Sequence, residues 1–251
     1  MSTHEEFAVA LNGASVGAAL QRPEPSDGDQ ALAAVLLCHG LGALTAQTAE
    51  LFDQITDALV EAGLAVATIG KNATDSWPLP GGVGSVDAAS AVFRWMALRD
   101  ELDLNRIGVL GYSLGGLIAA CLSRRTDQIA RLCLLAPMTV DQVTEKQAGE
   151  TTHEPAGQLR GDLASLTPIE DLVVHDRPTL IMHGAADRIV GPEASLAYRR
   201  AVELARHKVE HLLVAQADHL FSGAVARSAC LDQLTRFFAP MSKSAGNAGR
   251  P

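Results

Sequence analysis

The sequence predicts an α/β fold: a mostly parallel central sheet with an N-terminal antiparallel hairpin, helices on both faces and a small lid insertion. Two observations carry this reading. Short unbroken apolar runs alternate with longer amphipathic segments, as buried parallel strands joined by helices do. Ahead of them, an Asn12-Gly13 turn signal separates the strand-like runs Phe7–Ala10 and Ser15–Ala18.

Residues 6–20 therefore read as a hairpin, and Arg22 to Asp29 as a loop by composition. The first buried strand is Ala34–Cys38. Leu51, Phe52, Ile55 and Leu59 then recur at helical spacing until Gly63 ends the segment. Ala65–Ile69 is the next strand, and Ala89, Val92, Phe93 and Met96 mark the helix after it. Further strands follow at Ile107–Leu110, Leu132–Leu135, Thr179–Met182 and Val209–Ala215, with helices over 114–124, 192–207 and 222–239. Right-handed crossovers place these helices on both faces of the sheet. Residues 138–172 break the alternation with a polar stretch that includes Thr144–Thr152. A structureless connection of that length is uncommon inside a compact domain, so it reads as a lid or cap. Residues 1–240 are thus expected to form one domain, and 241–251, rich in Ser, Gly, Asn and Lys, a disordered tail.

The composition narrows the function. The 251 residues are 47% hydrophobic and 20% charged, ordinary for a soluble globular chain rather than a disordered one. A net charge of −9 with no basic stripe argues against nucleic acid as a partner. The acidic start lacks the features of a signal peptide, and no apolar run is long enough to cross a bilayer, so no membrane partner is expected. Cys38, Cys121, Cys133 and Cys230 lack metal-ligand spacing and sit in apolar segments. They read as buried free thiols, which fits a reducing cytoplasm.

Ligands of open α/β sheets collect at the carboxyl ends of the strands. Ser113 lies there, in Gly111-Tyr112-Ser113-Leu114-Gly115-Gly116, directly after one strand and before a helix. A Gly-x-Ser-x-Gly turn in that setting holds a serine in strained backbone with its oxygen exposed above the sheet. A glycine-rich packing turn is the plainer alternative. A serine hydroxyl needs a base, and His219 follows the last strand on the same edge. The base needs an acceptor for its other ring nitrogen, and Asp187 stands just past the preceding strand. Asp162, Asp171 and Asp176 precede that strand end, and Asp218 adjoins His219 and points elsewhere, so each ranks below Asp187. His39 and His183 read as structural hydrogen-bonders.

These segments, with Cys38-His39-Gly40-Leu41-Gly42, His183-Gly184-Ala185-Ala186-Asp187 and Ala217-Asp218-His219, resemble the α/β-hydrolases from the opening hairpin to the last helix. The resemblance implies the α/β-hydrolase fold, Ser113 as nucleophile, Asp187 as orienting acid, His219 as general base and no cofactor. It also puts one oxyanion-hole donor on the Leu41 amide, beside a second from Leu114 at the start of its helix. The segment between Pro137 and Pro178 looks like the small cap of esterases similar to cinnamoyl-esterases and dienelactone hydrolases. Trp77 and Leu79, in the loop over 71–84, are candidates to line a substrate pocket; a Trp-Pro loop packed on the protein is the other reading. Related enzymes carry an arginine-containing turn there, where this chain has Asn72 and Thr74. Leu159, Leu163 and Leu166 form either the inner face of the lid or a small core of its own.

The expected function is that of a serine hydrolase cleaving a carboxylic ester of modest size, a small-molecule substrate, through an acyl-enzyme. A thioesterase, acyltransferase or peptidase using the same three residues is the nearest alternative. A non-catalytic small-ligand binder is the alternative from another class.

Overall fold

The computed structural model describes residues 2–24, 31–39, 46–69, 85–142 and 165–242. Its centre is an eight-stranded sheet in the order β1-β2-β4-β3-β5-β6-β7-β8. The strands are β1 (Ser2–Leu11), β2 (Ala14–Pro23), β3 (Leu32–Cys38), β4 (Ala65–Ile69), β5 (Leu102–Tyr112), β6 (Ile129–Leu135), β7 (Thr179–Gly184) and β8 (Val209–Val214). β1 and β2 form an antiparallel hairpin that joins β4 antiparallel, and the remaining neighbours are parallel. The hairpin turns on Asn12 and Gly13, both at positive φ (49° and 81°), as a tight two-residue turn between twisted strands requires. It is longer than its apolar run, because the polar residues Ser2–Glu6 pair with Ala19–Pro23 at the edge.

The helices are α1 (Ala46–Glu61), α2 (Ser85–Ala97), α3 (Leu114–Arg125), α4 (Pro168–Leu172), α5 (Glu193–Leu204) and α6 (Ala224–Ser242). α2, α3 and α5 bury one face of the sheet, where Phe93, Met96, Leu117, Ile118 and Tyr198 pack on Leu36, Val109 and Leu134. α1 and α6 bury the other, through Phe52, Ile55, Leu59, Leu234 and Phe238 against Val35, Leu110 and Cys133. β3 and the end of β5 are therefore apolar along their whole buried length, as strands covered on both faces must be. The hairpin is tied to this body by Phe7 stacked on Trp95 at 3.6 Å between ring centroids and by Arg99, which pairs with Glu5 and Glu101.

Two boundaries differ from those read in the sequence. α6 runs on to Ser242, past Pro240, because Met241 is buried in the core and its carbonyl accepts a bond from Arg106 Nη1 at 3.0 Å. Residues 243–251 lie outside the described residues. The last part of the inserted segment belongs to the body: Leu172 of α4 is fully buried, Leu166 packs on the main core, and Ser123 Oγ of α3 donates to Asp171 O at 3.3 Å. A stretch that reads as polar when taken whole thus ends in a short apolar anchor. The rest of the expected lid, residues 143–164 with Leu159 and Leu163, lies outside the described residues.

All four cysteines are buried free thiols, and burial pushes the Cys38 thiol up to about 12. Among the described residues no helix is long and apolar enough to cross a membrane.

His175, which follows α4, is buried, and its Nε2 has no hydrogen-bond partner among the described residues. Burial, opposed by Asp176 and reinforced by Arg177 and His207, lowers its pKa from 6.5 to about 4. Between those values the unfolded chain binds a proton that the folded one refuses, so stability falls as the pH drops from 6.5 towards 4. The loss should approach roughly 3 kcal/mol at the acid end. Urea midpoints of the wild type should decline over this range, and those of His175→Leu should decline less.

Candidate active site

The carboxyl ends of β5, β7 and β8 meet at one rim, and each sequence-predicted side chain reaches it by a different local device. Ser113 joins β5 to α3 with φ 57° and ψ −119°, a left-handed conformation that a non-glycine residue avoids. Three backbone bonds hold it there. Ser113 N donates to Leu135 O at 2.9 Å, and Ser113 O accepts from Gly116 N at 2.9 Å and from Met138 N at 3.1 Å. The flanking glycines permit the close approach this needs. A Cβ on Gly111 would lie 2.2 Å from Gly115 O, and one on Gly115 would lie 2.1 Å from Cys38 O.

Asp187 and His219 sit on loops that are bonded to each other. Ala185 N donates to Val214 O and Ala186 N to Ala217 O, both at 2.9 Å. Gly184 lets the two backbones touch, since a Cβ there would stand 2.4 Å from Ala217 O. This places Asp187 Oδ2 2.6 Å from His219 Nδ1, and His219 Nε2 3.1 Å from Ser113 Oγ. The carboxylate can only accept, so Nδ1 carries the ring proton. In the neutral ring, Nε2 is then bare and accepts from the serine hydroxyl. Ser113 is only 7% exposed, less open than its turn suggested, because the imidazole takes up one side of it.

Asp187 is the most heavily bonded group in the site. Oδ1 accepts from Ile189 N at 2.8 Å and Val190 N at 2.9 Å, and Oδ2 accepts from His183 Nε2 at 3.1 Å as well as from His219. Burial opposes its ionisation, but the bonds from His183 and His219 outweigh that and hold the carboxyl well below the usual carboxylate range. His183, fully buried, also donates to Val190 O at 2.9 Å and so closes the turn that carries Asp187. It is the structural hydrogen-bonder the sequence suggested, and its acceptor is the acid of the site. The other acids are engaged elsewhere: Asp171 and Asp176 lie 3.6 Å from Arg124 and Arg177, and Asp218 accepts from Ser222 N at 2.8 Å.

Tyr112 is a contact the sequence did not flag, because the variable position before the serine carries no spacing signal. Its ring packs 5.0 Å from that of His219, and its hydroxyl donates to His219 O at 3.2 Å. His39 is buried near Phe52. Leu114 opens α3, so its amide has no acceptor one turn earlier in the helix. Leu41, Trp77, Leu79 and Asp162 lie outside the described residues. Among the described residues no cluster of three or more His, Cys, Asp or Glu could hold a metal ion.

A sequence profile of the prolyl oligopeptidase family matches residues 69–245, which include Ser113, Asp187 and His219. The chain belongs to the prolyl oligopeptidase family. Membership makes it a hydrolase of the esterase and peptidase kind, on the α/β-hydrolase fold. No curated protein matches the chain. Among solved structures it is similar to the esterase domain of a Rhodothermus marinus protein (20% identity, TM-score 0.72, covering 95% of this chain and 98% of that one). It is also similar to Est1E from Butyrivibrio proteoclasticus (16%, TM-score 0.74, covering 94% and 98%). A Mycobacterium tuberculosis puromycin-hydrolyzing peptidase matches at 18% identity and TM-score 0.74, with 96% of this chain but only 39% of that one covered.

The glycine contacts make a sharp prediction. Gly115→Ala drives a Cβ into backbone and should cost about 1–3 kcal/mol or more. Gly223→Ala meets nothing within 4 Å and should be close to neutral. Thermal melts of the two variants check the contrast.

Proposed function

We propose that this protein hydrolyses a carboxylic ester of modest size through an acyl-enzyme, with Ser113 as nucleophile, His219 as general base and Asp187 as the acid that orients it. The observation that carries this reading is the continuous relay from Ser113 Oγ through the His219 ring to Asp187 Oδ2, at 3.1 Å and 2.6 Å. It is built on a serine whose backbone is held in strain, and a packing turn has no need of that.

In this mechanism Ser113 Oγ bonds to the acyl carbon while its proton passes to His219 Nε2. The imidazolium that forms is stabilised by Asp187, which stays ionised because its other bonds already favour the charged form. The oxyanion is held by the Leu114 amide and, by family likeness, the Leu41 amide. The Cys38 and His39 carbonyls abut Gly115, so the end of β3 stands beside the turn of Ser113, in keeping with that likeness. Collapse breaks the bond to the alcohol, which leaves with the proton from His219. Water then attacks the acyl-enzyme, His219 takes its proton, and the carboxylic acid departs as Ser113 regains its hydrogen.

Family membership favours amide bonds as a second reading, since the machinery does not choose its leaving group. The likeness to an esterase domain and to Est1E supports the ester reading. Trp77 and Leu79 remain the proposed pocket residues. Four free thiols support a cytoplasmic location.

A fluorophosphonate probe should label the wild type stoichiometrically at Ser113 and leave Ser113→Ala unlabelled. An unlabelled wild type would favour a binding protein over an enzyme. Turnover of p-nitrophenyl esters should fall on the order of a million-fold in Ser113→Ala and about ten-thousand-fold in Asp187→Asn. Faster cleavage of peptidyl p-nitroanilides than of any ester in a chain-length series would decide for the peptidase reading.

A further inference from the structure

The loop that carries His219 is held at three consecutive carbonyls by side chains from outside it. Tyr112 Oη donates to His219 O at 3.2 Å, Arg227 Nη2 donates to Leu220 O at 2.9 Å, and Arg227 Nε donates to Phe221 O at 3.1 Å. The remaining arm of the guanidinium is anchored on a different helix, where Nη1 donates to Gln54 Oε1 of α1 at 2.7 Å. Arg227 itself stands in the first turn of α6, its amide bonded to Gly223 O at 2.8 Å. One planar cation thus joins α1, α6 and the loop.

The loop needs such support. Gln216 and Phe221 both have positive φ (60° and 51°), an unfavourable region for a bulky side chain such as Phe221. Strained backbone of this kind persists only where its surroundings over-determine it. The Phe221 ring is fully buried and anchors one end, but a buried ring does not set the direction of the carbonyls before it. The two bonds from Arg227 do. A relaxation at Leu220 and Phe221 passes directly to His219, whose Nε2 must stay within reach of Ser113 Oγ.

We propose that Arg227 is a positioning residue for the base: fixed by Gln54, its guanidinium pins the Leu220 and Phe221 carbonyls and so holds the His219 imidazole in register with Ser113. This rests on the catalytic reading given above. A lysine cannot replace it, because a single ammonium does not span two carbonyls and an amide oxygen in one plane. The guanidinium also borders an open cleft of about 550 Å³, lined by Gln47, Glu50, Ser222 and Asp232 among others but not by Ser113. Its place can therefore be reached from solvent without crossing the catalytic serine.

That access allows a direct test. Arg227→Ala, Arg227→Lys and wild type are compared for kcat and KM on p-nitrophenyl acetate, with thermal melts and the rate of fluorophosphonate labelling. The expected result is a folded Arg227→Ala protein with kcat reduced on the order of tenfold to a hundredfold and KM changed by less than about threefold. Free guanidinium at tens of millimolar should restore part of that kcat, without raising the rate of the wild type. Arg227→Lys should remain impaired. A folded Arg227→Ala protein with wild-type kcat overturns the proposal, as does a loss that guanidinium leaves unchanged. If Arg227→Ala does not fold, Gln54→Ala removes only the outer anchor; it should lower kcat by a smaller factor at constant KM, and an unchanged kcat overturns the idea. Labelling separates the two layers of the argument. An unlabelled wild type removes the catalytic reading and this proposal with it, whereas equal labelling of wild type and Arg227→Ala removes only the role of Arg227.

Discussion

The carboxylate of Asp187 is the group around which the rest of the rim is arranged. Its side chain has no exposure to water, so every bond that solvent would have made must come from protein. Two come from amides of its own turn, Ile189 and Val190, to Oδ1, and two from imidazoles, His183 and His219, to Oδ2. A buried charge left short of these partners would be costly, and losing one partner leaves the others facing an uncompensated group. The same bonds that satisfy the charge therefore dictate where β7 ends, how residues 184–190 turn and which way the His219 ring faces. The proposed function and the local folding share one electrostatic requirement here.

Strain at Ser113 is the counterpart on the neighbouring strand pair. The serine is held by β6, the strand that lies between β5 and β7 in the sheet: Leu135 O and Met138 N bond its backbone, and Gly116 packs against Pro137. β6 contributes none of the three proposed catalytic side chains, yet it sets the spacing between the nucleophile's turn and the loops of β7 and β8. From the other side, Gly115 receives the Cys38 and His39 carbonyls at the end of β3. The elbow is a point where three strands press together, and the absence of side chains at Gly111, Gly115 and Gly116 lets them meet.

Membership of the prolyl oligopeptidase family and likeness to esterase domains describe one machine from two directions. In the proposed mechanism, the relay of serine, imidazole and carboxylate serves whichever acyl group is presented. Choice among substrates belongs to the loops that rise around the rim, a division seen wherever a rigid sheet carries variable connections. The support described for the His219 loop, from Tyr112 on one side and Arg227 on the other, belongs to the rigid part.

Element types were legible in the sequence because they depend on local pattern. The apolar runs at 34–38, 65–69 and 132–135 lie within strands, and Asn12-Gly13 makes the turn its residue types demand. The polar strand end was not legible: Ser2–Glu6 extend β1 by backbone pairing, which leaves no hydrophobic trace. Nor was the extension of α6 past Pro240, which Arg106 and the core secure from far along the chain. For the rim, the order of Ser113, Asp187 and His219, each shortly after a strand run, was enough to nominate them. Their distances, the second imidazole on Asp187 and the grip of Tyr112 and Arg227 were decided by tertiary structure alone. The reason is physical: periodicity and turn chemistry act between neighbours in sequence, whereas a bond from Ser113 to His219 spans 106 residues and forms only once the strand order is closed.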